Sequence, residues 1–90
     1  MRGKDIKKIP NCLSKYRRQK GFTQKEVARI LGFKQSSIIS KWENGVSLPS
    51  TTYLLKLSVL YGRPTEALFT DLYKRIKEDI FAALDKKSYG

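Results

Sequence analysis

The ninety-residue sequence contains no histidine, a single cysteine and only eight acidic residues. Without histidine, the chain lacks the commonest general base and metal ligand. Cys12 alone can form neither an internal disulfide nor a cysteine-based zinc site, which suits a reducing compartment. The phosphate-binding pattern G-x-x-x-x-G-K-[S/T] is also absent from the sequence. We therefore expect no catalytic activity, no metal and no cofactor.

Long apolar segments are lacking as well. No apolar run approaches the roughly 18 residues that a transmembrane helix needs. The first ten residues have no apolar stretch of the kind found in secretory signals. An apolar content of 40% is normal for a globular chain, and ninety residues suffice for one small domain. We expect a cytoplasmic protein with no membrane partner.

Positive charge is what the sequence has in excess. Nineteen basic residues against eight acidic ones give a net charge of +11, and residues 1–25 alone carry nine basic residues and one acid. A potential of this sign attracts nucleic acid. We interpret residues 1–9 as a flexible basic arm, either contacting the DNA backbone or minor groove or remaining a solvated tail. Membrane-surface binding by the C-terminal segment is disfavoured, because four acids dilute its basic residues: Asp71, Glu78, Asp79 and Asp85.

Five short helices are predicted, because apolar residues recur at helical spacing between turn residues. Thr23 and Glu26 form the capping-box pattern at the start of the second helix. Glycine follows each of the first four helices, at positions 21, 32, 45 and 62. The expected helices cover about residues 11–20, 24–31, 35–43, 50–61 and 64–86. The residues expected to face the core are Leu13, Tyr16, Arg17, Val27, Ile30, Leu31, Leu54, Leu57, Val59 and Leu60.

The last predicted helix has apolar residues at a spacing of four: Leu68, Leu72, Ile76, Ile80 and Leu84. We expect its first part, with Leu68 and Phe69, to pack on the domain. From Ile76 onward a chain this small offers no obvious partner. A helix from a second copy is the expected one.

The stretch FKQSSIISKWENG, residues 33–45, combines apolar with small polar residues. At about 100° per residue, Ile38, Ile39 and Trp42 share one helical face. The opposite face carries Ser37, Ser40, Lys41 and Asn44, and Ser36 flanks it. Gln35 would point to the buried side of a helix, so we assign it to a non-helical first turn that reaches outward.

Two short helices joined by a glycine-containing turn in an all-helical chain are typical of a helix-turn-helix motif. The second helix of such a motif enters the major groove of DNA. The sequence therefore predicts that the helix around residues 35–43 packs on the core with one face and reads bases with the other.

The segments GFTQKEVARILG, ISKWENG and LPSTTYLLKLSVLYG, in this order and spacing, resemble the Cro/C1-type helix-turn-helix regulators of phages and bacteria, the Xre family. The resemblance covers about residues 11–69. It implies an all-α, five-helix, lambda-repressor-like helix-turn-helix DNA-binding domain, here with an extended C-terminal helix. It also implies that Gln24 binds a phosphate and braces the recognition helix and that Asn44 contacts the DNA backbone. Arg17 and Glu43 match an arginine and a glutamate that form a structural ion pair.

The sequence departs from the family pattern at one point, because the distance from Gly32 to Trp42 is one residue longer than usual. Aligned from Gly32, Ile38 takes the place of the buried isoleucine. Aligned from Trp42, Ile39 takes that place and the extra residue lies in the turn. The helical phase favours the second alignment. Which of Gln35 and Ser36 contacts a base stays open.

The predicted interface contains two sets of residues. Base contacts are expected from Gln35, Ser36, Ser37, Ser40 and Lys41. Phosphate contacts are expected from Thr23, Gln24, Lys25, Lys34 and Asn44, with Lys15, Arg18 and Lys20 as further candidates. Thr23 is in the first place a helix cap.

The sequence thus predicts a sequence-specific, double-stranded-DNA-binding transcription regulator, expected to repress and to act as a homodimer on an inverted repeat. We expect the protein to be encoded by a bacterium or a phage, to be located in the bacterial cytoplasm and to be associated with the nucleoid. Residues 10–70 are interpreted as the DNA-binding domain, and residues 71–90 as a helical extension for dimerisation. A second hypothesis is an antitoxin-like regulator whose C-terminal helix binds another protein. A small nuclease is disfavoured, because the neighbouring Glu78 and Asp79 lie on different helix faces.

Overall fold

A computed structural model describes residues 8–87 of the chain. Its elements in order are α1 (Leu13–Gln19), α2 (Gln24–Ile30), α3 (Ser37–Glu43), α4 (Thr51–Tyr61), α5 (Thr65–Leu68) and α6 (Thr70–Lys87). The predicted all-α architecture is confirmed, since no strand occurs between residues 8 and 87. Most of the predicted basic arm, residues 1–7, lies outside the described part.

The helix ends follow local sequence signals. The Thr23 hydroxyl accepts a hydrogen bond from the backbone N–H of Glu26, and the Glu26 carboxylate accepts one from the N–H of Thr23, which completes the predicted capping box. Ser50 caps α4 in the same way, through a bond from the N–H of Tyr53. At the other end of α4, Gly62 adopts a left-handed conformation that L-residues avoid.

Residues 8–87 form six helices where five were predicted, because the last predicted helix is broken. Phe69, with φ −133° and ψ 53°, separates α5 from α6. Leu68 and Phe69 are both buried, whereas an unbroken helix would turn these consecutive side chains about 100° apart. The end of α5 is also tied to the start of α1, since the N–H of Cys12 donates to the carbonyl oxygen of Leu68.

The core gathers side chains from α1 to α5 and the start of α6. Its buried apolar members are Leu13, Val27, Ala28, Leu31, Ile39, Trp42, Leu57, Tyr61, Leu68 and Phe69. The prediction was wrong for Ile30 and Val59, which are 54% and 83% exposed. Both faces of α4 are apolar, so periodicity alone could not select the buried one, and the structure buries Tyr61 instead.

No helix among the described residues is both long and apolar enough to cross a membrane. The exposed surface includes the polar side of α2 and α3 and the long helix α6, whose residues 73–86 are all exposed. It also includes an apolar groove lined by Ile30, Leu55 and Val59.

Candidate nucleic-acid interface

The helix-turn-helix unit consists of α2, α3 and the connection of residues 31–36. In the connection, the N–H of Phe33 donates to the carbonyl oxygen of Ala28, which folds the turn back on α2. The Phe33 ring then packs against Trp42 of α3 and Tyr53 of α4, with ring centroids 6.0 and 4.9 Å away. These aromatic contacts fix the position of α3 relative to α2 and α4.

One face of α3 is buried and the other is open, as the helical phase predicted. Ile39 and Trp42 are 1% and 4% exposed, whereas Ile38 is only partly buried. The extra residue relative to the family pattern therefore lies in the turn, and Ile39 is the buried isoleucine.

The predicted base-reading residues lie on or beside the open face of α3. Ser37 and Lys41 are exposed, and Ser40 is partly exposed and accepts a hydrogen bond from the Asn44 amide at 3.2 Å. Gln35 is exposed in the turn before the helix. Ser36 occupies the N-cap position of α3 without a side-chain cap bond, so its hydroxyl is not committed to the helix end. The five side chains form one continuous polar surface at the start and along the outside of α3.

A hydrogen-bonded ion pair ties the end of α3 to α1. Arg17 Nε lies 2.7 Å from Glu43 Oε2, and Arg17 Nη2 lies 3.1 Å from Glu43 Oε1. Gln24 Nε2 donates to the same Oε1 at 2.8 Å, and Arg17 Nη1 donates to the carbonyl oxygen of Phe22. The side chains of the pair are 10% and 6% exposed. The hydrogen bond to Glu43 raises the pKa of Arg17 above its ordinary value, although burial opposes the shift.

The geometry joins α1, the start of α2 and the end of α3 through a single carboxylate. Gln24 is placed so that its amide braces α3, because it donates to the last residue of that helix. Charged hydrogen bonds of this length are among the stronger ones in proteins. The angle at which α3 projects from the domain is thereby fixed by polar contacts as well as by the core.

A further contact, which the sequence reasoning missed, fastens residues 8–12 to the end of α3. The Asn11 amide donates to the carbonyl oxygens of Trp42, Glu43 and Ile9 at 3.1 to 3.2 Å. The N–H of Ile9 donates to the carbonyl oxygen of Gly45. The carbonyl groups at the end of α3, which lack partners within the helix, are satisfied in this way. Nothing near Asn11 in the sequence could have identified a partner 31 residues away.

Gly45 makes this approach possible. It has φ of 74°, and a Cβ atom there would lie 2.5 Å from the carbonyl oxygen and 2.7 Å from the nitrogen of Ile9. A residue with a side chain would be strained at this φ and would also collide with Ile9. Residues 8–12 can therefore pack against the end of α3 only where it is followed by glycine. The basic residue Lys8 consequently lies beside the end of α3.

Basic side chains flank the start of α3 in a groove that we call the basic groove. It is lined by Lys25, Arg29, Lys34, Gln35, Ser36, Ala28 and Phe33. Arg29 was not among the predicted phosphate ligands. Arg29 lies four residues after Lys25, which places both side chains on one face of α2. This spacing could have identified Arg29 as a phosphate ligand from the sequence. The groove lining contains three cations and no acid.

The other predicted phosphate ligands are distributed around the unit. Thr23 is exposed, and its hydroxyl already accepts the capping bond. Asn44 is exposed just beyond α3. Lys20 lies elsewhere, in a pocket with Gln19 and Gly62, and Lys15 stacks on the Tyr16 ring. Within residues 8–87, no group of three or more cysteine or acidic side chains comes close enough to hold a metal ion.

Comparison with known proteins agrees with this geometry. A helix-turn-helix family model of the Cro/C1 type, Xre-like, matches residues 13–68, from the first residue of α1 to the last of α5. Among curated proteins and among solved structures, no significant similarity to this chain is found. The match spans more than half of the chain and includes every helix except α6.

Proposed function

Since the chain belongs to the Cro/C1-type helix-turn-helix family of DNA-binding transcription regulators, we propose that it recognises a specific duplex sequence by placing α3 in the major groove. The observation that carries this proposal is the two-faced burial of α3. Ile39 and Trp42 hold the helix from behind, and small or hydrogen-bonding side chains cover its free face. An α-helix with such a face fits the width of the major groove.

The base-reading roles follow from the chemistry of each side chain. Gln35 can bond adenine at two positions, and Lys41 prefers the acceptors of guanine. Ser36, Ser37 and Ser40 can donate to or accept from any base edge and allow α3 to approach closely. Because Asn44 already bonds Ser40, this pair would present itself to DNA as one unit.

Phosphate contacts would come from both sides of α3. The basic groove, with Lys25, Arg29 and Lys34, lies beside the start of the helix, and Asn44 stands beyond its end. Gln24 and Thr23, at the start of α2, complete the set. Contacts of this kind supply affinity and orientation rather than sequence information.

We further propose that the protein acts as a homodimer on an inverted repeat and represses transcription by occupying sites that the polymerase needs. A two-fold symmetric protein matches a two-fold symmetric site. The expected place of action is the nucleoid of the cell that encodes it. Residues 10–70 would bind DNA and residues 71–90 would join the two copies.

Selection from random DNA duplexes with the purified protein, at about physiological salt, tests the proposal. Enrichment of an inverted repeat with half-sites about one helical turn apart is the expected result. Enrichment of a single half-site would support base reading by a monomer and contradict the dimer. Strongly salt-dependent binding without any enrichment would contradict sequence-specific readout, because it would show that the net charge dominates.

A second candidate function is that of a regulator that binds another protein through α6, as an antitoxin does. The exposed apolar side chains on α6 are the observation that favours it. A purified chain that is monomeric in solution, with those side chains uncovered, would support this candidate.

A further inference from the structure

The helix α6 presents an apolar surface that its own domain does not cover. Five large apolar side chains on it are each 48% to 55% exposed: Tyr73, Ile76, Ile80, Phe81 and Leu84. We call these residues the α6 stripe. In the described part of the chain, Leu72 is the last α6 residue that packs against the core. The rest of α6, about 20 Å long at 1.5 Å per residue, extends away from the domain.

The α6 stripe is a large apolar patch for so small a chain. At about 100 Å² of exposed area per side chain, one protomer presents about 500 Å² of apolar surface along a single helix, which matches the largest patch of a typical monomer, and such patches are often functional. Most side chains on the rest of the helix are charged, among them Glu78 and Asp85. Lys77 lies within the stripe, with its amine 5.9 Å from the centroid of the Phe81 ring. The helix is therefore built to bury one face against a partner.

An apolar groove lies at the base of the same helix. Leu48, Pro49, Leu54 and Phe69 form its walls together with Leu72 and Ile76, and it encloses about 250 Å³. We call it the α6 groove. Because Ile76 belongs to both features, the groove and the stripe form one continuous apolar surface, with the concave part at the domain and the convex part at the distal end.

We propose that this surface binds a second copy of the chain, with the two α6 helices antiparallel and the distal part of each helix lying in the α6 groove of the other. The proposal rests on the homodimer of the proposed function and gives it an interface. The stripe is self-complementary in this arrangement. A single antiparallel register, centred on residue 78, sets Leu84 opposite the partner's Leu72 and Ile80 opposite the partner's Ile76.

The antiparallel direction follows from where the two parts of the surface lie. In a parallel pair the distal halves would meet each other, and the two grooves would face each other unfilled. In an antiparallel pair each groove receives a distal half, so that both concave and convex parts are covered. Counting the groove walls, the two copies would bury about 1,200 Å², which is the lower end of the range for specific protein interfaces.

The mass of the full-length protein in solution, measured by light scattering without DNA, tests the interface. We expect the natural chain to be a dimer and Ile80→Glu to be a monomer. The matched control is Val59→Glu, which places the same charge on an exposed apolar residue of α4 and should leave the dimer intact. A monomeric natural chain, a dimeric Ile80→Glu variant or a monomeric Val59→Glu variant would overturn the proposal. Circular dichroism of both variants checks that they are folded.

Disulfide trapping tests the direction of the helices. In a Cys12→Ser background, a mixture of Leu72→Cys and Leu84→Cys proteins should form a covalent heterodimer under mild oxidation. Leu84→Cys by itself should give no covalent dimer, because the two distal ends lie far apart in an antiparallel pair. Covalent dimers of Leu84→Cys by itself would show a parallel pair and overturn the proposed arrangement, as would the absence of a covalent heterodimer.

The two proposals fail separately. A dimer with the expected cross-link that enriches no DNA sequence would remove the proposed DNA readout and keep this interface. A monomer that enriches a single half-site would remove the interface and keep the readout.

Discussion

Arg17 and Glu43, separated by 26 residues in the chain, form a two-point ion pair that is almost closed to solvent. The pair connects α1 to the end of α3, and Gln24 joins it from the start of α2. Three helices thus depend on one carboxylate for their relative position. A mutation at Glu43 should act on stability and on DNA binding together.

We expect Glu43→Gln to lower the free energy of unfolding by about 3 kcal/mol, because it leaves the Arg17 charge buried without its counter-ion. Urea unfolding followed by the fluorescence of Trp42, which is the single tryptophan, measures the change. Glu66→Gln, the same substitution at an exposed position, is the control and should change stability little. Equal effects of the two variants would show that the ion pair contributes nothing.

Gly45→Ala should destabilise the protein more than Gly32→Ala. Both glycines have positive φ, 74° and 91°, so each alanine carries about 1 kcal/mol of backbone strain. A Cβ atom at Gly32 has free space, whereas one at Gly45 would meet the backbone of Ile9. The difference in unfolding free energy between the two variants isolates this contact. If Gly32→Ala were the more harmful, residues 8–12 would not dock against α3 as described.

Tyr61→Phe should be neutral or stabilising by about 1 kcal/mol below pH 10, because the Tyr61 hydroxyl is buried without a hydrogen-bond partner among the described residues. Burial, with a contribution from the Glu43 charge, raises the pKa of Tyr61 above its ordinary value of 10.0. In the unfolded chain the Tyr61 hydroxyl ionises at its ordinary pKa of 10.0, whereas in the folded protein it stays neutral to higher pH. The free energy of unfolding therefore falls as the pH rises above 10.0. The free energy of unfolding of Tyr61→Phe should therefore decrease less at alkaline pH than that of the natural chain. Thermal unfolding curves from about pH 8 to 11, on either side of this ionisation, compare the two proteins.

Replacing Ser37 or Lys41 with alanine should change which bases are preferred at particular positions of the selected site. Removing a hydrogen bond to a base edge should reduce discrimination at that position by about 1–3 kcal/mol. Repeating the selection with each variant and comparing base frequencies position by position gives the result. A uniform decrease in affinity with unchanged preferences would mean that these side chains do not face the bases.

Lys25→Ala and Arg29→Ala should weaken binding to all duplexes alike, since the basic groove is proposed to hold phosphate. Each should reduce the slope of log K against log salt by about one. Lys74→Ala removes the same charge from α6 and should leave the slope unchanged. An altered base preference in either groove variant would show that α3 docks differently from the proposal.

The local signals predicted much of this structure because they act within a few residues. The capping box at Thr23 and Glu26 and the glycine after each of the first four helices depend on hydrogen bonds and dihedral angles of neighbours. The buried face of α3 was predictable for the same reason, since Ile38, Ile39 and Trp42 define it through their spacing alone, although only the structure shows that Ile38 is less buried than the other two.

The predictions failed where more than one arrangement satisfied the local pattern. Leu57 and Val59 each have an apolar residue three or four positions away in α4, so the pattern fits either side of the helix. Only Leu57 is buried, because the core forms on its side. Arg29 became part of the basic groove only when the turn brought Lys34 and Gln35 next to α2.

By itself, the sequence determined the first four helices, the approximate positions of their ends, the excess of positive charge and the exposed face of α3, because each depends on residue type and spacing. The tertiary structure alone decided that Phe69 breaks the last helix, that Asn11 satisfies the carbonyl groups at the end of α3, and that the α6 stripe continues into a groove. Each of these depends on contacts between segments far apart in the chain, and such contacts exist only after the helices have packed.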